Sequence, residues 1–166
     1  LDKFYARKDT LSLGICNGCQ LMVELGLTGA KGAKMLHNDS HKFESEFITL
    51  SIPQNNSVMF GSLSGNKLGL WVAHGEGKFH LPESESAYNV IAKYNYHGYP
   101  ANPNGSAYNI AGIASADGRH VAMMPHLERC IFPWQCGNYP LERRADEVTP
   151  WIEAFVNARL WVENQK

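Results

Sequence analysis

The stretch LGICNGCQ, residues 13–20, decides the fold. It joins a short apolar run at residues 11–15, which predicts a buried strand, to a segment at 17–25 whose apolar residues recur at helical spacing. Gly26 stands where that helix is expected to end. Cys16 therefore falls in a sharp turn between a strand and a helix, where its side chain is held clear of the sheet.

The glycines around this cysteine are typical of a nucleophile elbow, a turn so tight that its flanking residues must be small. Gly14 and Gly18 lie two positions before and after Cys16. The N-terminus of the following helix would stabilise a thiolate, and the backbone N–H of Asn17 could donate to an oxyanion. Cys19 lacks such flanking glycines. We therefore predict Cys16 as the nucleophile, the alternative being a chance pattern in a glycine-rich turn.

A candidate base lies more than a hundred residues downstream. His126 follows a predicted buried strand at 120–124, and Glu128 comes two residues later. A histidine placed in this way can take a proton from a thiol while a carboxylate orients the ring and stabilises the imidazolium. The alternative is a structural histidine, but the pairing with a carboxylate and a separate thiol elbow favours catalysis.

The four cysteines, Cys16, Cys19, Cys130 and Cys136, allow several interpretations. Two disulfides are unnecessary in a chain with this much apolar material. A zinc site could use Cys16 and Cys19 as one half, but the other two cysteines lack a typical ligand spacing. A redox pair is a third alternative. We expect free thiols in a cytoplasmic protein, with no metal.

Composition excludes several functional classes. The 166 residues are 44% hydrophobic and 19% charged, which favours one packed domain over disorder. The formal net charge of -1 gives no electrostatic support for binding nucleic acid or an anionic membrane. No apolar run approaches the ~18 residues that span a bilayer. We therefore expect neither nucleic acid nor membrane as a partner.

The rest of the chain alternates between apolar segments and polar loops. Apolar patterns predict further strands and one hairpin at residues 43–52, 68–74, 87–96 and 110–124, the last turning at Asp117-Gly118. Polar segments 28–42 and 99–106 are predicted as loops, and 133–148 as irregular. Thr149 as N-cap and Pro150 as first helical residue predict a closing amphipathic helix.

Five short motifs in this order resemble one family, the triad (class I) glutamine amidotransferases. They are GICNGCQ at 14–20, AHGEG at 73–77, NPNGS at 102–106, IAGI at 110–113 and MMPHLER at 123–129. The resemblance implies an α/β fold, a flavodoxin-like three-layer domain. The sequence departs from the family's Pro-His-Pro-Glu at Leu127, which frees one backbone dihedral but keeps the spacing of His126 and Glu128.

The resemblance also implies roles for residues. Cys16 would form a γ-glutamyl thioester with glutamine, His126 would act as the base, Glu128 would orient it, and Asn17 would supply a backbone oxyanion donor. Ammonia would pass to a synthetase domain of the same long chain, a ligase of purine biosynthesis in which ATP and Mg²⁺ activate the acceptor. No cofactor is expected in the present part.

Further site residues follow with less support. His74 and Glu76 lie in a glycine-flanked segment after a strand, where a substrate-facing loop is expected. Gln20, in the first helical turn, could also face glutamine. The Asn and Ser side chains of 102–106 either bind substrate or satisfy a tight loop, because Asn-Pro and Asn-Gly are ordinary turn sequences.

The early position of the cysteine motif leads us to expect an N-terminally truncated domain. Residues 1–166 would be the partial amidotransferase domain at the C-terminal end of a larger multidomain enzyme. An upstream oxyanion donor would then be missing, so the isolated piece should be weakly active or inactive. Alternatives are a separate small glutaminase subunit, another class I amidotransferase, a cysteine hydrolase, or a zinc-binding or interaction module.

Overall fold

A computed structural model describes residues 1–165 of the chain. Within them the helices and strands follow in the order α1 (Asp2–Tyr5), β1 (Ser12–Ile15), α2 (Asn17–Glu24), β2 (Lys34–Leu36), β3 (Glu44–Ser51), β4 (Lys67–His74), β5 (Lys78–His80), β6 (Asn89–Tyr94), β7 (Ile110–Ala114), β8 (His120–Met123) and α3 (Ile152–Glu163). Short 3₁₀ turns lie between several of these elements.

Six strands form one mixed sheet in the order β1-β8-β7-β6-β3-β4. Strands β1 and β8 run parallel, so the carboxyl ends of both lie at the same edge of the sheet. The other neighbours in this sheet are antiparallel. Strands β2 and β5 pair separately as a two-stranded antiparallel ribbon. The parallel pair therefore places Cys16, just after β1, close to the segment that follows β8.

The six-stranded sheet curls until its far strand, β4, meets the chain beyond β8. The register between β6 and β7 shifts twice, between Val90 and Ala92 and between Ala92 and Lys93, and such bulges increase the bend of a sheet. Trp71 of β4 then forms an antiparallel bridge with His126. The His126 N–H donates to the Trp71 carbonyl at 2.8 Å. The curl of the sheet therefore brings the carboxyl end of β4 to the same edge of the sheet at which Cys16 lies, at the carboxyl ends of β1 and β8.

Two apolar clusters cover opposite faces of the central strands. Val121 and Met123 of β8 belong to a cluster that includes Ala154 of α3. Ala122 and the following Met124 belong to another, which includes Met22 of α2. One helix therefore packs on each face, and the predicted α/β three-layer class is confirmed. The sheet is mostly antiparallel, however, since only β1 and β8 run parallel.

The predicted hairpin at 110–124 is confirmed: β7 and β8 pair around Gly118, whose φ is +74°. The prediction of a simple loop at 28–42 is wrong in part, because Lys34–Leu36 forms β2. Its partner β5 lies some forty residues further along the chain. The three residues of β2 adopt an extended conformation because they pair with β5, since their local sequence carries no strand pattern.

The closing helix begins close to its predicted start. Thr149 Oγ1 accepts a hydrogen bond from the Trp151 N–H at 3.3 Å, and regular helix runs from Ile152. Trp151 is almost fully buried and makes an edge contact with Phe60. Its indole N–H donates to the Gly69 carbonyl of β4 at 2.8 Å. This side chain fastens the helix to the sheet.

None of the helices between residues 1 and 165 combines the length and apolar character needed to cross a membrane.

Replacing Trp151 with Phe should lower the free energy of unfolding by about 1–3 kcal/mol, because the Gly69 carbonyl loses its donor while the aromatic contact with Phe60 is largely kept. Trp134→Phe is the matched control, since Trp134 is 79% exposed. Urea unfolding followed by circular dichroism measures both. Equal stability of the two variants would contradict the fastening role of the indole.

Candidate active site

Cys16 occupies a strained turn between β1 and α2. Its backbone lies at φ 52° and ψ −106°, in a region that residues with side chains rarely adopt. Two backbone bonds hold the turn in place. The Cys16 N–H donates to the Met123 carbonyl at the end of β8, and the Gln20 N–H donates to the Cys16 carbonyl, both at 3.0 Å. The cysteine is thus held at the carboxyl edge of the sheet.

The two glycines flanking this turn differ in their surroundings. A Cβ on Gly14 would lie 2.5 Å from Met22 Sδ and 2.6 Å from the Gly18 carbonyl oxygen, so this position requires glycine. A Cβ on Gly18 would meet no atom within 4 Å among the described residues. The prediction of a steric requirement is therefore supported at Gly14 and wrong at Gly18, where the backbone leaves open space.

His126 and Glu128 meet as the sequence spacing suggests. His126 Nδ1 lies 2.6 Å from Glu128 Oε1, and the imidazole is buried. A 3₁₀ turn at Leu127–Arg129 carries the carboxylate back onto the ring. Leu127, where the family has proline, is fully buried in the core and anchors this turn. Arg129 Nε lies 3.6 Å from the same carboxylate oxygen.

The electrostatics of this pair favour a protonated imidazole. The Cys16 side chain, followed by the hydrogen bond to Glu128, raises the pKa of His126 to about 9, although burial acts in the opposite direction. Burial alone would raise the pKa of Glu128, but the bond to His126, a backbone hydrogen bond and the charges of His126 and Arg129 together outweigh it, and the net pKa is lowered. The Cys16 thiol itself points to the Ala73 carbonyl at 3.6 Å. The structure thus brings Cys16, His126 and Glu128 together.

Asn17 is the first residue of α2, so its N–H has no acceptor within that helix. It lies directly after Cys16, where a donor is needed beside a tetrahedral oxyanion. The geometry is compatible with the predicted role.

Gln20 and Glu76 lie together at the exposed side of the site. Gln20 Nε2 donates to the Glu76 carbonyl at 2.8 Å, which joins α2 to the loop after β4. The Glu76 carboxylate is exposed and lies 3.4 Å from His37 Nδ1. Gln20 also contacts Cys16 through its backbone N–H, whereas its side-chain amide is already engaged with the Glu76 loop. Contact with a substrate stays a prediction for each.

The prediction puts His74 in a substrate-facing loop, but the structure places it at the buried end of β4. Only 3% of the residue is exposed, and neither ring nitrogen has a hydrogen-bond partner within residues 1–165. Burial, with a contribution from the charge of His126, lowers the pKa of His74 to about 4, so the ring is neutral. A Cβ on Gly77 would lie 2.5 Å from this ring, so the glycine makes room for it. Its substrate contact also stays a prediction.

The Asn and Ser side chains of 102–106 hold loops. Asn104 Nδ2 donates to the Gly77 carbonyl at 2.7 Å, and Ser106 Oγ accepts from the Phe79 N–H at 3.0 Å. Asn102 Nδ2 donates to the Ser106 carbonyl at 3.1 Å. All three side chains are buried. Of the two interpretations of this motif, the structural one accounts for the contacts seen.

Two contributions to the site are not evident from sequence. Asn38 is fully buried, donates to the His74 carbonyl at 2.8 Å and accepts from the Gly77 N–H at 2.9 Å, fixing the loop after β4. Its only signal is a polar residue in a predicted loop. The backbone carbonyl of Ala73, the acceptor for the Cys16 thiol, has no sequence signal at all.

The cysteines do not form one cluster. Cys19 belongs to the apolar cluster beside α2, whereas Cys130 belongs to the opposite one. All four thiols are free, and burial raises the pKa of Cys130 to about 12. No group of three or more potential metal ligands occurs among the described residues. A zinc site that joins the two cysteine pairs therefore does not fit this arrangement.

Comparison with known proteins identifies the family. Residues 1–162 match the CobB/CobQ-like glutamine amidotransferase domain. The chain belongs to this family. It is 40% identical to a probable phosphoribosylformylglycinamidine synthase, chloroplastic/mitochondrial, of Arabidopsis thaliana, across 98% of this chain and 13% of that protein. The synthase of Homo sapiens is 36% identical across 97% of this chain and 14% of that protein.

A solved structure shows the same relationship. The structure of PurLQS from Thermotoga maritima matches with a TM-score of 0.67 and 25% identity, covering 93% of this chain and 61% of that one. The glutamine amidotransferase domain described here thus corresponds to one part of the much longer phosphoribosylformylglycinamidine synthases. It spans only 13% to 14% of the length of the curated relatives.

The unequal surroundings of the two elbow glycines give a direct test. Gly14→Ala should destabilise the domain by about 1–3 kcal/mol, since the new methyl overlaps Met22 and the Gly18 carbonyl. Gly18→Ala, in the first turn of α2, should leave stability unchanged or raise it by up to about 1 kcal/mol. Thermal unfolding compares them, and a Gly14→Ala domain as stable as Gly18→Ala would refute the steric argument.

The His126–Glu128 bond also predicts a pH dependence. Because the pKa of His126 is raised from 6.5 to about 9, its protonation stabilises the fold fully below pH 6.5, and this contribution is lost as pH rises through about 9. Glu128→Gln should lower the pKa of His126 by at least about one pH unit. Imidazole NMR titration measures this. The exposed Glu142→Gln serves as control, and an identical titration in both variants would contradict the assignment.

Proposed function

We propose that the chain is the glutaminase domain of a long phosphoribosylformylglycinamidine synthase, hydrolysing glutamine through a cysteine thioester. The observation that carries the proposal is the meeting of three groups at one edge of the sheet. Cys16 stands in a strained elbow, its side chain raises the pKa of His126, and His126 bonds Glu128 at 2.6 Å. Family membership supplies the substrate class, an amide of glutamine.

In this mechanism His126 first holds the proton of Cys16, so that a thiolate faces an imidazolium. The thiolate attacks the side-chain amide carbon of glutamine, and the carbonyl electrons move to oxygen. The Asn17 N–H donates to that oxyanion. As the intermediate collapses, the C–N bond breaks and its electron pair stays with nitrogen, which takes the proton from His126. Ammonia leaves and a γ-glutamyl thioester remains.

Water then completes the cycle. His126, now neutral, takes a proton from the attacking water, and the sulfur leaves as the carbon–sulfur bond breaks. Glutamate is released and the thiolate–imidazolium pair returns. Glu128 acts through His126: it fixes the ring by its bond to Nδ1 and stabilises the imidazolium at both stages.

We propose that glutamine approaches Cys16 from the exposed side of the site. Glu76, His37 and Lys42 line one cavity with volume about 350 Å³. These side chains offer both signs of charge, as the α-ammonium and α-carboxylate of a free amino acid require. Gln20 fixes the loop that carries Glu76. We assign Gln20 and Glu76 to this approach, and His74 to the interior behind it.

The ammonia would be used by the synthetase domain of the same long chain, where ATP and Mg²⁺ activate formylglycinamide ribonucleotide. Identity of 36% to 40% with synthases of which this chain covers only 13% to 14% supports this arrangement over a separate small subunit. The four free thiols support a reducing compartment, and we propose the cytoplasm. The Arabidopsis relative, by its name, is chloroplastic or mitochondrial.

Cys16→Ser in the full-length synthase should reduce glutamate release from glutamine by at least about 10³-fold, because the hydroxyl is a far weaker nucleophile. The diazo ketone analogue of glutamine, 6-diazo-5-oxo-norleucine, should label Cys16 in the parent, as located by mass spectrometry. Cys136→Ser, which alters a partly buried thiol away from the site, should retain full activity. Label on Cys19, or activity surviving in Cys16→Ser, would refute the proposal.

A further inference from the structure

Cys19 is a second thiol beside the nucleophile, and the proposed mechanism does not use it. Cys16 is the N-cap of α2, directly after β1, and Cys19 is the third residue of that helix. A C-x-x-C pair at the start of a helix that follows a strand is typical of disulfide oxidoreductases, in which two thiols and a disulfide interconvert. The position of the pair therefore fits thiol–disulfide chemistry.

The two thiols differ in their access to solvent. Cys16 is partly exposed and the adjoining Asn17 is exposed, so a small oxidant can reach the sulfur of Cys16. Cys19 is fully buried. Burial, followed by the charge of Cys16, raises the pKa of the Cys19 thiol, which therefore stays protonated at neutral pH. The pair combines one accessible thiol with one that is sheltered behind it.

Two observations place the sulfurs close together. Cys19 lies inside the apolar cluster beside α2, and Cys16 packs against the same cluster. Burial raises the pKa of the Tyr94 hydroxyl against the effect of a hydrogen bond from Asn104. The charges of Cys19 and Cys16 raise this pKa further, so both sulfurs lie near the same hydroxyl.

The spacing of the two residues suits a disulfide. Residues three apart on a helix have Cβ atoms about 5–6 Å from each other, and a disulfide joins Cβ atoms at about 3.5–4.5 Å. A shift on the order of 1–2 Å at the elbow therefore closes the bond. Bond formation gives up the contact of the Cys16 thiol with the Ala73 carbonyl.

The proposed mechanism also makes Cys16 oxidisable. His126 takes its proton, and the thiolate is the form that hydroperoxides oxidise to a sulfenic acid. A sulfenic acid condenses with a neighbouring thiol to a disulfide, which dithiols reduce again. Without such a neighbour, further oxidation gives a sulfinic acid, which dithiols do not reduce. Cys19 provides the neighbouring thiol.

We propose that Cys16 and Cys19 form a modification site at which a hydroperoxide produces a reversible disulfide. The effect on activity rests on the proposed glutaminase function, because Cys16 in the disulfide has no thiolate with which to attack glutamine. The disulfide also shields the sulfur of Cys16 from irreversible oxidation.

Oxidation proceeds in two steps. The Cys16 thiolate attacks one oxygen of the hydroperoxide, the O–O bond breaks, and the departing oxyanion takes the proton of His126 to form water or an alcohol. The sulfur of Cys19 then attacks the sulfur of Cys16, and the S–O bond of the sulfenic acid breaks. The departing hydroxide takes the Cys19 proton and leaves as water. The two thiols lose two electrons, which the hydroperoxide gains and a dithiol later restores.

Treatment of the full-length synthase with hydrogen peroxide tests the proposal. Cys16 and Cys19 lie in one tryptic peptide, residues 9–31. After peroxide, mass spectrometry should find this peptide lighter by two hydrogen atoms and resistant to alkylation by iodoacetamide. Glutamate release should fall at least about tenfold and return to within about twofold of its starting rate after dithiothreitol.

Cys19→Ala removes the second thiol but none of the groups that react with glutamine, so activity before peroxide should stay within about twofold of the parent. In this variant Cys16 should proceed to the sulfinic acid, and dithiothreitol should restore at least about tenfold less activity than in the parent. Cys130→Ala is the matched control, because Cys130 is equally buried but belongs to the opposite apolar cluster. It should recover as the parent does.

Equal recovery of Cys19→Ala and the parent would overturn the proposal. So would a parent enzyme that loses activity in peroxide while peptide 9–31 keeps two alkylatable thiols, or becomes linked to a peptide that carries Cys130 or Cys136. The mass measurement on the parent needs no substitution, so it tests the pair even where Cys19→Ala fails to fold.

The same peptide separates the two proposals. A disulfide that forms in an enzyme releasing no glutamate from glutamine would refute the glutaminase function and leave the cysteine pair standing. Loss of glutamate release in Cys16→Ser, with no disulfide in peptide 9–31 of the oxidised parent, would refute the pair and leave the glutaminase function standing.

Discussion

The backbone hydrogen bond from the His126 N–H to the Trp71 carbonyl is the contact on which the site depends. Strand β4 is the last in the sheet order, so a flat sheet would keep it several strand widths from β1 and β8. The double register shift between β6 and β7 bends the sheet, and this bond closes the bend. Only then can the Ala73 carbonyl meet the Cys16 thiol and His74 lie beside His126.

The bond also explains why residues far apart in sequence act together. Cys16 is held by the Met123 carbonyl at the end of β8, and His126 follows three residues later. The nucleophile and the imidazole are thus both positioned by β8, and β4 lies on the opposite side of the site. Asn38 then fixes the loop beyond β4 through His74 and Gly77. The site combines a rigid parallel strand pair with loops tied by buried amides.

Local sequence patterns were sufficient for the strand, elbow and helix around Cys16, because each follows from neighbouring residues: the apolar run, the close contact at Gly14 and the helical spacing. The spacing of His126 and Glu128 was equally local. The pairing of β2 with β5, the curl and the role of Asn38 depend on partners some forty residues away or more. No local pattern encodes them, and Gly18 shows that a motif can suggest a steric need that the packing does not impose.

His126 and His74 lie close together but favour different protonation states. This difference is the strongest chemical argument that they have separate roles. His126, with a thiol on one side and a carboxylate bonded to Nδ1, has its pKa raised to about 9, whereas burial lowers the pKa of His74 to about 4. Environments that separate the pKa values of neighbouring groups assign acid and base functions. At neutral pH His126 can donate the proton that the departing nitrogen needs. His74 carries no such proton, and two positive charges side by side would weaken the stabilisation that Glu128 gives to His126.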